Sequence, residues 1–140
     1  MSVSGRKRRG DDGGASVDLM LLAPVLVLLL VLMVVAGRQV SAALTTQDVA
    51  SAAARAASLQ RDTASARAHA QAVAHGELAE RGLSCSPFTV SVDVSGFDAG
   101  GTAEVEVVCT VNFLDLGGLG ERTLRASAAS PVDPYRGETP

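Results

Sequence analysis

The chain has 140 residues and a formal net charge of −3; 47% of the residues are hydrophobic and only 3% are aromatic. That length accommodates one ordinary domain, or a membrane anchor with a smaller folded part. With Phe88, Phe97, Phe113 and Tyr135 as the whole aromatic supply, a large globular core and a stacking platform for single-stranded nucleic acid are both disfavoured.

Four of the twelve basic residues stand together at Arg6, Lys7, Arg8 and Arg9, whereas from Gly37 onward eight basic residues face twelve acidic ones. No basic stripe exists outside the N-terminal cluster, so nucleic acid is not an expected partner. The leader then runs through Gly10-Asp11-Asp12-Gly13-Gly14-Ala15-Ser16-Val17 to Asp18. Glycines in extended conformation offer a protease an unhindered backbone. An acid at the start of a helix suits the positive end of its dipole, and Ser16 or Asp18 as a simple helix cap is the competing reading.

From Leu19 to Ala36 no side chain is charged or strongly polar, and thirteen of the residues are Leu or Val. As a helix this stretch is about 27 Å long, close to a hydrocarbon core of about 30 Å. At roughly −0.4 kcal/mol each, the Leu and Val residues supply about −5 kcal/mol toward insertion, and Asp18 at the edge costs far less than it would at the centre. A cleavable secretory signal would have a shorter apolar core, of about 7–15 residues, although Val34-Val35-Ala36 and Val40-Ser41-Ala42 both resemble cleavage sites. The expected state is a single-pass anchor with the basic cluster in the cytoplasm and the C-terminal part outside. Pro24 falls near the beginning of the run, where a kink is tolerated.

The residues around Gly13 resemble the processing site of type IV prepilins, in which the scissile bond follows a glycine and an acid is the fifth residue of the mature chain. Cutting after Gly13 makes Gly14 the first residue and Asp18 the fifth. The closer resemblance is to the TadE-like pseudopilins of tight-adherence pili. It is carried by Ala15-Ser16-Val17-Asp18-Leu19-Met20-Leu21-Leu22-Ala23-Pro24-Val25, by Gly37-Arg38-Gln39-Val40 and by the alanines of Ala52–Ala57. The acid here is Asp where that family usually has Glu, one methylene longer. The resemblance implies removal of Met1–Gly13 by a prepilin peptidase, neutralisation of a neighbouring subunit's amine by Asp18, and partnership with other pilin or pseudopilin subunits within the lipid bilayer. An uncleaved, membrane-anchored binding module is the alternative.

From Ser41 to Arg81 the chain is rich in Ala, with Gln, Arg and Glu and no proline, which favours helix. Thr63 and Gly76 are the candidate break points, and Gly82 is a natural stop. Leu44, Val49, Leu59, Val73 and Leu78 are the expected apolar anchors. Ala50, Ala54 and Ala57 at helical spacing suit either close approach of another helix or packing on the chain's own sheet. His69 and His75 lie about 240° apart around a helix and cannot chelate one metal from one face; both are read as solvated.

After Pro87 the pattern has period two. Val90, Val92 and Val94 alternate with polar residues, and Ser95–Gly101 reads as a turn. Ala103, Val105, Val107, Cys109, Val111 and Phe113 then share one strand face, with Glu104, Glu106, Thr110 and Asn112 on the other. Arg122–Ala128 is a predicted third strand, reached through Leu116–Gly120. Matching the valine faces pairs Val92 with Ala103 or Val105, which sets Cys109 opposite Ser86 or Phe88. Cys85 can then bridge Cys109, and outside the cytoplasm that disulfide persists. Two cysteines without nearby histidines do not make a zinc site. Gly117-Gly118-Leu119-Gly120 lacks the lysine of a phosphate loop, and strand glutamates facing water are ordinary.

The expected fold class is therefore α+β, membrane-anchored and pilin-like: a long N-terminal transmembrane and Ala-rich helix followed by a small antiparallel β-sheet. The expected segments are a basic cytoplasmic leader (1–13), a transmembrane helix (14–37), an Ala-rich extracytoplasmic helix (38–83), a disulfide-clipped sheet (84–130) and a flexible tail (131–140). Gly13 and Gly14 form the expected processing site, Asp18 the assembly residue, and Cys85–Cys109 the disulfide. No catalytic residue, metal or cofactor is expected.

Overall fold

The computed structural model describes residues 14–112 and 120–135. The leader with Gly13, the stretch 113–119 with Phe113 and most of the connector, and residues 136–140 lie outside the described residues. The chain divides into two compact units, Met1–Gly37 and Arg38–Pro140. Helix α1 (Gly14–Ser58) supplies residues to both.

In the first unit the described residues are helical, with Pro24 inside the helix. Every large apolar side chain from Val17 to Val34 that faces outward is at least 50% exposed. This is the one helix among the described residues long and apolar enough to cross a membrane.

The second unit is a two-layer α+β structure. Leu59–Asp62 interrupt the helix, and α2 (Thr63–Glu80) follows. The break thus falls at the first of the two candidate points, and Gly76 lies within α2. Asp62 causes this restart: its carboxylate accepts the Ser65 backbone N–H at 2.8 Å and the Ser65 hydroxyl at 2.7 Å, satisfying donors that the first helical turn leaves free. At the other end Gly82 has φ +65°. The Gly82 N–H donates to the Ala79 carbonyl and the Leu83 N–H to that of Leu78, a Schellman closure that needs a left-handed residue.

Strands β1 (Phe88–Asp93), β2 (Thr102–Asn112) and β3 (Glu121–Pro131) form an antiparallel sheet in that spatial order. Val92 faces Val105 and Phe88 faces Cys109, the second of the two registers that the valine pattern allows. The β2 face bearing Ala103, Val105, Val107, Cys109 and Val111 is buried. Against it pack Val49, Ala50, Ala53, Ala54 and Ala57 of α1 and Ala66, Ala70, Ala74 and Leu78 of α2 in one cluster. Ala50, Ala54 and Ala57 are therefore consumed by the chain's own core. Methyl groups at i, i+3, i+4 and i+7 let both helices lie close to the sheet, and the valines fill the remaining volume.

Three expected anchors lie off the core: Leu44 is 61% and Leu59 72% exposed, and Val73 is half-buried outside the core cluster. Residues 42, 46, 49, 50, 53 and 57 define the inward stripe, and at about 100° per residue Leu44 and Leu59 fall off it. Strand β3 also extends beyond the expected Ala128 to Pro131. Val132 beyond it is buried, and its N–H donates to the Gly101 carbonyl at 2.8 Å, so this part of the tail is docked.

Three polar ties show that β3 runs beside α1 in the same direction. Arg122 donates to Gln39, Gln47 Nε2 donates to the Ser127 carbonyl at 3.1 Å, and the Ser58 and Ser130 hydroxyls bond at 3.0 Å. From Gln39 to Ser58 a helix rises about 28 Å, and from Arg122 to Ser130 a strand rises about 27 Å. The end-to-end spans agree, so the outer two ties fall in step, whereas the middle one is offset by about 5 Å and is reached by the long Gln47 side chain.

Candidate functional site

Asp18 is helical within α1 and is the fifth residue counted from Gly14 in the sequence. Neither Ser16 nor Asp18 occupies the capping position. Asp18 is exposed and is the only charged side chain between Val17 and Gly37. An apolar surface of this extent on an isolated water-soluble protein would be exceptional; lipid or other apolar helices are the environment it suits. A carboxylate at the edge of such an environment is costly without a cation or the headgroup layer beside it. The site thus couples a greasy rod to one anionic handle near its beginning.

The extramembrane unit carries the remaining ionisable groups. Arg81 joins the two helices, with Nη1 2.9 Å from Asp48 Oδ2 and Nε 3.2 Å from Glu77 Oε2. Its pKa is raised, first by the hydrogen bond to Glu77 and then by Asp48. Asp93 is held below the usual carboxylate range, chiefly by the Ser95 backbone N–H at 2.8 Å and its hydroxyl, with a smaller contribution from Arg67. Glu106 is 3.3 Å from Arg125. His75 is exposed as expected, yet its ring meets Phe88 edge-on at 4.8 Å. Cys85 and Cys109 are bonded, with Cα atoms 5.1 Å apart. Beyond that clip, Ser86 donates to the Thr110 carbonyl and Thr110 to that of Pro87, so the β1–β2 pairing is prolonged up to the disulfide.

Asp62 carries a pH signature that Asp62-Thr63-Ala64-Ser65 could have announced in the sequence, since an acid three residues before a serine is a capping pattern. Its pKa is lowered, first by the Ser65 backbone N–H. The folded chain therefore binds this proton less tightly than the unfolded chain. The stabilisation is full above the ordinary Asp range and fades as pH falls through the lowered value. Circular dichroism of the full chain between about pH 5 and pH 2 should show partial loss of α2 helicity, and Asp62→Asn should remove that component of the acid transition while leaving helicity at neutral pH near that of the wild type.

Among the described residues no three His, Cys, Asp or Glu side chains converge as a metal site. Comparison with curated proteins and with solved structures gives no match. A family model described as TadE-like protein matches residues 13–55, a segment that holds Asp18, the exposed apolar helix and the first half of the alanine-rich core stripe. Over that segment the chain is similar to the TadE-like protein family.

Proposed function

We propose that this chain is a minor pseudopilin, a structural and non-enzymatic subunit used in assembling tight-adherence pili at the cell envelope. A prepilin peptidase removes residues 1–13 at the cytoplasmic face, between Gly13 and Gly14. The helix that remains spans the cytoplasmic membrane once, with its N-terminus inside and the Arg38–Pro140 unit outside. Asp18 then neutralises the new amine of an adjacent subunit, and the apolar helices bundle. One observation carries this reading: an exposed apolar helix has a single acid, Asp18, at its N-terminal end, the fifth residue counted from Gly14 in the sequence. A carboxylate at the edge of an apolar layer is stabilised by a cation beside it, and a neighbour's freed amine is such a cation.

Intact mass and N-terminal sequencing of membrane-extracted protein test it. The expected product begins at Gly14, and Gly13→Leu should abolish its formation, leaving the leader in place. A wild-type chain recovered from Met1 would replace this reading with an uncleaved membrane-anchored binding module. A chain beginning near Gly37 or Ala43 would indicate a secreted factor.

A further inference from the structure

The two layers of the Arg38–Pro140 unit differ in charge. Residues 38–87 contain five arginines against four acids, whereas the described sheet residues 88–112 and 120–135 contain six acids against two arginines. The difference is concentrated at two places. On the outer sheet face, Asp93 stands directly opposite Glu104, a like-charge pair that weakens a sheet. On the opposite, helical face, a groove of about 590 Å³ opens between α1 and α2, lined by Asp48, Ala52, Arg55, Ala56, Leu59 and Val73 among others. Asp48 is engaged by Arg81. Among the described residues, Glu104 and Arg55 meet no ion-pair partner. Leu59 on the groove wall is 72% exposed.

These two places lie at one height along α1. Ser127 is tied to Gln47 and Ser130 to Ser58, so Ala129, between them, sits at the level of the helix near Arg55. Ala129 pairs with Glu104, and Glu104 with Asp93. The acidic row and the cationic groove are thus level with each other on opposite sides of the unit. Copies whose Arg38–Pro140 units stand parallel in a row can therefore meet side to side with no shift along α1.

We propose that the outer sheet face of one copy docks on the α1–α2 groove of the next, with Glu104 and Asp93 facing Arg55 and with Leu59 covered. The contact joins different surfaces of identical subunits, so it does not close on itself and propagates as a row. Complementary charge fixes which face meets which and rejects the sheet-to-sheet alternative, in which acids would oppose acids. The inference deepens the assembly reading and rests on it for the presence of many copies side by side. Leader removal is read by mass and the contact by association, so each can fail while the other stands.

Charge exchange in the full-length chain tests the contact. Two differently tagged copies are produced in one membrane, extracted in mild detergent, and the fraction co-purifying is measured. Wild-type pairs should associate, less strongly as salt is raised from about 0.05 to about 0.5 M. Arg55→Glu with itself, and Glu104→Arg with itself, should each lower association about tenfold, because like charges then face each other. Mixing Arg55→Glu copies with Glu104→Arg copies should restore it, since every junction in an alternating row again joins opposite charges. Both side chains are exposed, and a misfolded variant would not be rescued by mixing. Equal recovery in all four combinations, absence of wild-type association, or loss in both variants without restoration in the mixture would overturn the proposal.

Discussion

Replacing Cys85 and Cys109 together by serine should lower the unfolding free energy of the extramembrane unit by about 3.5 kcal/mol. The estimate comes from the loop that the bond closes: the two residues are 24 apart in sequence, and freeing a loop of that length restores this much chain entropy to the unfolded state. Burial adds to the loss. Cys109 is wholly inaccessible, and a serine hydroxyl there would enter an apolar cluster with Ala42 and Val111. The position of the bond makes the effect global. The β1–β2 hairpin is closed at one end by the Val94–Gly101 loop and at the other by this bond, which also holds the chain leaving α2 through Leu83 against β2. Urea denaturation of the full chain in detergent micelles, followed by circular dichroism, measures the difference. A loss under about 1 kcal/mol would show that the alanine–valine core holds the sheet without its clip.

An equally severe effect is expected from Gly101→Ala. A Cβ built there lies 1.9 Å from the Gly96 carbonyl oxygen and 3.1 Å from that of Asp98. Both obstacles are backbone, so no side chain can swing aside. Three hydrogen bonds depend on this approach: Gly101 to the Asp98 carbonyl, Thr102 to that of Gly96, and Val132 to that of Gly101. Relief of the clash opens the loop and frees Val132 from its buried place, and a loss of about 3 kcal/mol follows. Gly76→Ala is the matched control. Its added Cβ meets nothing within 4 Å, and the position lies inside α2, so it should stabilise by about 1 kcal/mol. The same denaturation curves report both, and equal midpoints for the two variants would contradict the geometry.

The parts of the fold that could be read in advance are those where polarity alternates sharply. The uninterrupted run after Asp18 marked a membrane helix, and the valines of β1 and β2 with polar neighbours between them marked a hairpin and narrowed its register to two choices. The cysteines followed from that register. The helical layer was harder because its inward stripe is made of alanine, which is also the commonest residue on its outward side. With so little contrast, Leu44 and Leu59 drew the eye as anchors although they face away from the core. Strand β3 was short in expectation for a related reason: Ala126-Ser127-Ala128-Ala129-Ser130 has weak alternation and favours helix on its own. Pairing with β2 along its whole length overrides that preference. The docking of Val132 depends on a carbonyl 31 positions earlier in the chain, a relation that no local pattern carries. Gly13 lies outside the described residues, and the processing step with its role for Asp18 is read from the sequence motif.

The parallel course of β3 and α1 has a mechanical consequence. Their three ties follow one another along the helix axis in the same order on both elements. A tug along that axis loads all three in shear together, whereas a ladder set crosswise would be peeled one rung at a time. An element joined in this way yields late, and tension along the tied part of α1 spreads into the neighbouring ribbon before any single link gives.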